Sequence, residues 1–402
     1  MYDLRLSEDQ AAIRGAVREF VAGEVTPVAS RPERLEPFDV PLARELVDAA
    51  GELGLRTLAL AEQDGGAGAD MLTCCVVAEE LAAGDVDVAS VLAWTATLGG
   101  VLFNRLMNDE QRARFLPDFA ADNGYHLALA DREADMETAL GIDYRRAGGG
   151  APALATSAKR NGSGDWVVNG AKTRIANAPL AKLFAVLVDT GDGHDVLLAP
   201  APSAGLTVEE TPRAGGWYHG ACGDVRFADC VVPGANALGR EAAALFARPG
   251  ADFIAPVLQA INLGVGRAAF EAALDYSGVR VQGGRRIIEH QAIGAKLAGV
   301  AIDLETVRNA VWRAAWSSDN PDADGDANAP PLPYAGISQV VAAERIYRAT
   351  KDAAECFGAM GVMRDMPLQK YIHVSRVFLH TGDGVSDVKL RIAEALGGHV
   401  RG

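Results

Sequence analysis

The sequence predicts a mainly helical α+β protein in three parts: an N-terminal helical domain (1–122), a small antiparallel β-domain (123–234) and a C-terminal four-helix-bundle domain (235–402). Three observations carry this. Apolar residues recur at helical spacing from Ser7 to about Asp122. Short apolar runs broken by Gly, Pro and Asp fill the middle. Helical spacing then returns from about Ala235. Strands grouped together, rather than alternating with helices, argue against a doubly wound sheet.

In the first part, "SEDQ" (7–10) is a capping box, and Ile13, Val17, Phe20 and Val21 follow it at helical spacing. Pro41–Leu55 and Met71–Ala83 repeat the pattern around the glycine-rich "AEQDGGAGAD" (61–70), and Asn108 caps a further helix. Val88–Phe103 is an uncharged run of sixteen residues, short for a membrane span, and reads as a buried helix. In the middle, "DWVVNGAKTRIA" (165–176) reads as a hairpin turning at Asn169-Gly170. "KLFAVLV" (182–188), "DVLLAP" (195–200), "LTVEE" (206–210) and "DVRFADCVV" (224–232) are further strands, and "AGGGAPA" (147–153) is a loop. The last part reads as helices over 252–279, 287–318, 335–357, 369–379 and 387–396, with an acidic Pro/Ala/Gly loop at 317–333. "GVGRAA" (264–269) matches a dinucleotide fingerprint in letters alone. Its flanks are helical and Asp275 comes too soon, so it reads as small residues for close helix packing.

The formal charge of −15 argues against nucleic acid or an anionic membrane as a partner through bulk charge. An anionic ligand would need a local basic site. The five cysteines form no CxxC pair and have no histidine at metal-ligand spacing. They read as buried reduced thiols of a cytoplasmic protein, and Met1 opens no basic-then-apolar leader.

Six segments, in order, carry a resemblance: "AEQDGGAGAD", "MNDEQRARFLPDFAADN", "WVVNGAKTRIANAPLA", "VRFADCVVPGANALG", "RVQGGRRIIEHQ" and "ECFGAMGVMRDMPLQK". Together they resemble the acyl-CoA dehydrogenase family over nearly the whole chain. The resemblance implies FAD as cofactor and an acyl-CoA or related acyl thioester as substrate. It also implies a homodimer or homotetramer, with an electron-transferring flavoprotein as electron acceptor.

Residue by residue, the resemblance puts Arg280 at the pyrophosphate of a neighbouring subunit's FAD, with Gln291 nearby. Gly358 and Gly361 keep the close backbone approach of an F-G-A-A-G version, although Glu355 replaces its leading Gln. "DGVSDVK" (383–389) fits the branch that carries D-G-P-D-E-V-H, which puts Asp383 at the position of the catalytic base and keeps Gly384. That match needs one extra residue between Pro367 and Asp383. Ile254 occupies the alternative base position, so Asp383 is the only acid at either place. As a base, Asp383 would need a raised pKa in a dry pocket. The other reading is a cap on the helix that follows. Asp387, His380 and His373 read as solvent-facing or helix-end groups.

The chain departs from the family where the flavin ring lies. The Thr-Glu-Pro of the family reads Ala130-Asp131-Arg132, and Trp-Ile-Thr reads Arg174-Ile175-Ala176. Backbone amides at Ala130 and Ala176 remain available to the ring edge, and the guanidinium of Arg174 can stack on the ring. In the substrate motif L-D-x-x-R, Asp252 is kept and Ala255 replaces the Arg. The leading expectation is an FAD-dependent α,β-dehydrogenation of an acyl thioester. Two others stay open: a half-site subunit of a heteromeric acyl-CoA dehydrogenase, paired with a homologous partner subunit, and a repurposed flavin monooxygenase or lyase.

Overall fold

The computed structural model describes residues 5–36, 40–134, 154–211, 219–246, 253–320, 332–381 and 384–399. The loops expected at 147–153 and over most of 317–333, together with Asp252 and Asp383, lie outside the described residues.

The N-terminal helices are α1 (Glu8–Phe20), α2 (Thr26–Ala29), α3 (Arg44–Glu52), α4 (Met71–Gly84), α5 (Val86–Val101) and α6 (Asp109–Ala121). The capping box expected at Ser7 and the cap expected at Asn108 both form, and Asn108 closes a full box as well: each side chain accepts from the third residue on, where Gln10 or Gln111 returns the bond. Helices α4 and α5 are buried almost all round. The stretch Val86–Leu106 is, among the described residues, the one helix long and apolar enough to cross a membrane, and 83% of its apolar window is buried inside the protein. That is the burial of a core helix.

The β-domain holds β1 (His126–Ala130), β2 (Ser157–Arg160), β3 (Trp166–Ala176), β4 (Ala181–Asp189), β5 (His194–Pro200), β6 (Leu206–Glu210) and β7 (Cys222–Val232). The sheet runs β1-β4-β2-β3-β7-β6, with β5 also on β4. Two expectations need correction. The sheet is mixed, because β1 and β2 both pair parallel to β4. And 165–176 is no hairpin: β3 is one continuous strand paired along its length to β7. At the expected turn, Gly170 (φ +143°) sits at a shift of register and crosses so near Thr156 that a Cβ there would meet Thr156 Cα at 2.6 Å. Asn169 does not turn the chain; its amide exchanges hydrogen bonds with Asp229 on β7, at 3.0 and 2.9 Å.

The rest comprises α7 (Arg240–Phe246), α8 (Ala255–Val279), the ribbon of β8 (Val281–Gln282) and β9 (Arg285–Arg286), α9 (Gln291–Asp319), α10 (Tyr334–Cys356), α11 (Leu368–Val377) and α12 (Gly384–Gly397). The "GVGRAA" segment lies within α8. A Cβ on its Gly264 would meet Glu79 O at 2.4 Å, so the glycine serves the contact with α4. All five cysteines are buried and unbridged, and burial pushes the Cys74 thiol up to about 12. Among the described residues, no group of three or more His, Cys, Asp or Glu is placed to hold a metal.

Candidate active site

The site is built first from the end of β1 and the end of β3. Ala130 closes β1, fully buried, and the chain continues beside β3, where the Thr173 amide donates to Arg132 O at 2.9 Å. One residue on, the Glu133 carboxylate accepts from Lys172 Nζ (2.8 Å), Thr156 N (3.0 Å) and Ala155 N (2.6 Å). Burial opposes both charges. It holds Lys172 below the usual ammonium range, while the Lys172 contact and the amides bring Glu133 below the usual carboxylate range despite burial.

The β3 register breaks again between Lys172 and Ile175. There Arg174 takes a left-handed backbone (φ +53°), is exposed, and donates its N–H to Asp224 Oδ1 at 2.8 Å. Ala176 follows, opposite Cys222. Asn177, also left-handed (φ +63°) and buried, then fastens the strand to α5. Its Nδ2 donates to Val91 O (3.0 Å), Thr95 Oγ1 (3.2 Å) and Leu127 O (3.4 Å). Thr95 Oγ1 also lies 3.0 Å from His126 Nδ1, an imidazole that burial keeps neutral by lowering its pKa to about 4. Ala130, Arg174 and Ala176 are thus brought together on one side of the β-domain.

A second group gathers at the far end of the C-terminal helices. Arg280 ends α8, exposed, with its N–H on Tyr276 O (2.9 Å) and its carbonyl accepting from Ile287 N (2.8 Å). Gln291 opens α9, exposed, just beyond the Gly283-Gly284 turn. The rings of Tyr276 and Phe357 stack at 4.3 Å, which brings the end of α10 to the end of α8. Gly358 follows in a left-handed conformation (φ +58°) with open space where a Cβ would stand. Gly361 differs: a Cβ there would meet Ala354 O at 2.3 Å, so its own helix end already demands the glycine. The acid at Glu355 does not stand alone, because Lys296 bonds it and lowers its pKa.

Gly384 (φ +76°) starts α12, and Gln339 Nε2 on α10 donates to Thr381 O at 3.2 Å, holding the chain just ahead of that turn. Asp387 pairs with Arg391 along α12 at 2.6 Å, which accounts for it structurally. Between α4, α5 and α8 lies a narrow apolar slot lined by Leu55, Leu81, Leu92, Ala96, Thr97 and Val257. Its free space is about 10 Å³, the room of one water. The Thr97 hydroxyl is buried and has no hydrogen-bond partner among the described residues.

Sequence reading passed over Glu133, Lys172, Asn177 and His126. Lys172 and Asn177 lie inside the quoted "WVVNGAKTRIANAPLA", so the signal was a charged and an amide residue in an apolar strand. Their partners, 39 and 86 residues away, gave no local sign.

Two separate places on the chain suit the two parts of a cofactor that carries phosphates and a flat ring. Arg280 is an exposed guanidinium, Gly358 leaves its backbone approachable, and Ala130 and Ala176 put nothing beyond a methyl at the ends of their strands.

Three family descriptions match the chain: acyl-CoA dehydrogenase N-terminal domain over 7–123, middle domain over 145–230 and C-terminal domain over 253–396. A benzylmalonyl-CoA dehydrogenase of Aromatoleum aromaticum is 30% identical over 98% of this chain and 99% of its own. An acyl-CoA dehydrogenase of Bacillus subtilis is 28% identical over 93% and 94%. The solved butyryl-CoA dehydrogenase from Megasphaera elsdenii shares the fold with a TM-score of 0.82, at 24% identity over 99% of both chains. With all three domains matched in order along nearly its full length, the chain belongs to the acyl-CoA dehydrogenase family, FAD-dependent oxidoreductases that act on CH–CH donors.

Proposed function

We propose that this chain introduces the α,β double bond into an acyl-CoA or a related acyl thioester. The match of all three family domains in order carries the reading, and Arg280 and Gln291 at the pyrophosphate positions of the family pattern support it. Asp383 takes the proton from the carbon α to the thioester carbonyl, as the only acid at either base position of the family pattern. FAD, when bound, would supply the acceptor for the β-hydrogen and its electron pair. One single bond becomes double, one proton passes to the carboxylate and two electrons pass to the cofactor.

The remaining residues hold and orient. Arg280 and Gln291 face the phosphates of a neighbouring copy's FAD, with Gly358 offering close backbone approach and Gly361 keeping the helix end in shape. The amides of Ala130 and Ala176 meet the ring edge, and the left-handed turn at Gly384 sets the start of α12 behind the base. Asp252 is the retained acid of the family's substrate motif and is assigned to substrate binding.

Val279, Val281 and Val362, more than half exposed, surround the Arg280 end. We assign this apolar face to a second copy of the chain, in a homodimer or homotetramer. Electrons then leave to an electron-transferring flavoprotein.

The test is the visible absorption spectrum of the purified, untagged protein before and after adding FAD, followed by turnover of acyl-CoA substrates with an artificial electron acceptor. A protein that stays colourless after FAD and gel filtration would overturn the reading.

A further inference from the structure

The ribbon of β8 and β9 gathers three arginines, Arg280, Arg285 and Arg286, in a chain that has 53 acids to 38 lysines and arginines. Its register sorts them. Gln282 pairs with Arg285 and Val281 with Arg286, and Ile287 N donates to Arg280 O at 2.8 Å. Side chains alternate along a strand, so Arg280, Gln282 and Arg285 share one face while Val281 and Arg286 share the other. Diagonal neighbours on such a ribbon stand roughly 7–8 Å apart, which lets two long side chains meet on one small anion. All three arginines are exposed. Arg286 is held by Glu289 at 2.6 Å. Among the described residues, Arg280 and Arg285 have no carboxylate partner.

The position of this face is fixed. Gly283 and Gly284 both take positive φ (+62° and +81°), as a tight two-residue hairpin turn requires. His290 Nε2 lies 3.0 Å from Gln282 O, and a Cβ on Gly283 would meet His290 Cε1 at 3.3 Å, so the ribbon is packed onto the start of α9. That start, 29 residues of helix behind it, has no side-chain cap and no acid in its first turn. Nothing there opposes an anion beside the arginines. At the ring end, by contrast, Ala130 and Ala176 stand where the family pattern has hydroxyls, so hydrogen bonds to the cofactor are lost there.

We propose that Arg285 is a second phosphate-binding residue, which with Arg280 clamps the diphosphate of the FAD held by a neighbouring copy. The inference rests on the FAD reading above and adds to it a residue which that reading does not use. A diphosphate offers free oxygens on two phosphorus atoms, so each guanidinium makes its own charge-assisted, two-pronged contact. The extra contact at the phosphate end offsets the hydrogen bonds missing at the ring end. Arg286, on the other face and tied to Glu289, takes no part.

The experiment titrates FAD onto the stripped full-length protein at low and at raised salt, for the parent, Arg285→Gln, Arg285→Lys and Arg286→Gln. Gel filtration records the assembly of each. The expected result is FAD binding weaker by about tenfold or more in Arg285→Gln, with a shallower dependence on salt. Arg285→Lys keeps the charge without the fork and falls between the parent and Arg285→Gln. Arg286→Gln binds as the parent does at both salt concentrations. Parent affinity and salt dependence in Arg285→Gln overturn the inference and leave the FAD reading standing. So does an equal loss in Arg286→Gln, which would trace the effect to the charge of the whole ribbon. If Arg285→Gln alters the assembly, Arg285→Lys decides, and binding equal to the parent's overturns the inference. A parent chain that takes up no FAD overturns both.

Discussion

Lys172 Nζ lies 2.8 Å from Glu133 Oε1, with the lysine side chain wholly out of solvent and the glutamate 6% exposed. Lys172→Met leaves a buried carboxylate with amides but no counter-charge. The expected cost is about 3–5 kcal/mol, whereas Lys172→Met with Glu133→Gln costs clearly less. Urea unfolding of the two variants checks this. A single change as mild as the double one would mean the pair is not coupled.

Asp383→Asn should lower kcat by about 10²–10⁴ while leaving the visible flavin spectrum and the unfolding midpoint nearly unchanged. The opposite outcome, intact turnover with a lower midpoint, would make Asp383 a helix cap and nothing more.

A pH effect on stability follows from Asp87. Its carboxylate accepts the His219 amide at 3.1 Å, and its other oxygen has no hydrogen-bond partner among the described residues. Burial, followed by the charge of Asp85, pushes Asp87 up to about 7, with Lys370, His219 and Arg34 opposing the rise. The unfolded group titrates near 3.9, so the folded state binds the extra proton between those values. Stability from this group is therefore present at low pH and is lost as pH rises from about 4 toward 7. Asp87→Asn should unfold later than the parent at pH 8 and lose that advantage by about pH 4. Thermal melts across that window decide it; a constant difference between the two proteins would contradict the assignment.

Arg280→Ala should weaken FAD binding by about ten- to a hundredfold, the scale of a hydrogen bond to a charged group. Equilibrium titration of FAD onto the stripped protein measures it, and unchanged affinity would remove Arg280 from the cofactor site.

The sequence was most legible where the deciding contacts are local. The caps at Ser7 and Asn108 are closed by partners three residues away, and the box at the first and the cap at the second were readable as letters. Asn169-Gly170 shows the opposite. The dipeptide is a strong turn signal, yet the close approach of Thr156 and pairing with β7 make it a bulge in a straight strand. The parallel β1–β4 pairing joins segments more than fifty residues apart, and no periodicity reports that. In the site, the residue types at 130, 174 and 280 were visible from the aligned motifs. The left-handed backbone of Arg174 and the pairing of Lys172 with Glu133 depend on tertiary contacts and were not.

Asn177 has a consequence for how the chain reaches this fold. Its amide ends β3 on groups of α5 some 86 and 82 positions earlier, while Gln111 on α6 reaches forward to Ala235 O and Ala237 O at 2.9 Å each. The boundaries seen in composition are therefore not boundaries of autonomy. The strands complete their last turn only on a finished helical layer, and that layer is fastened by backbone made after the strands. A fragment cut at 123 and 234 would carry Asn177 without Val91 O and Thr95 Oγ1, its two nearer acceptors.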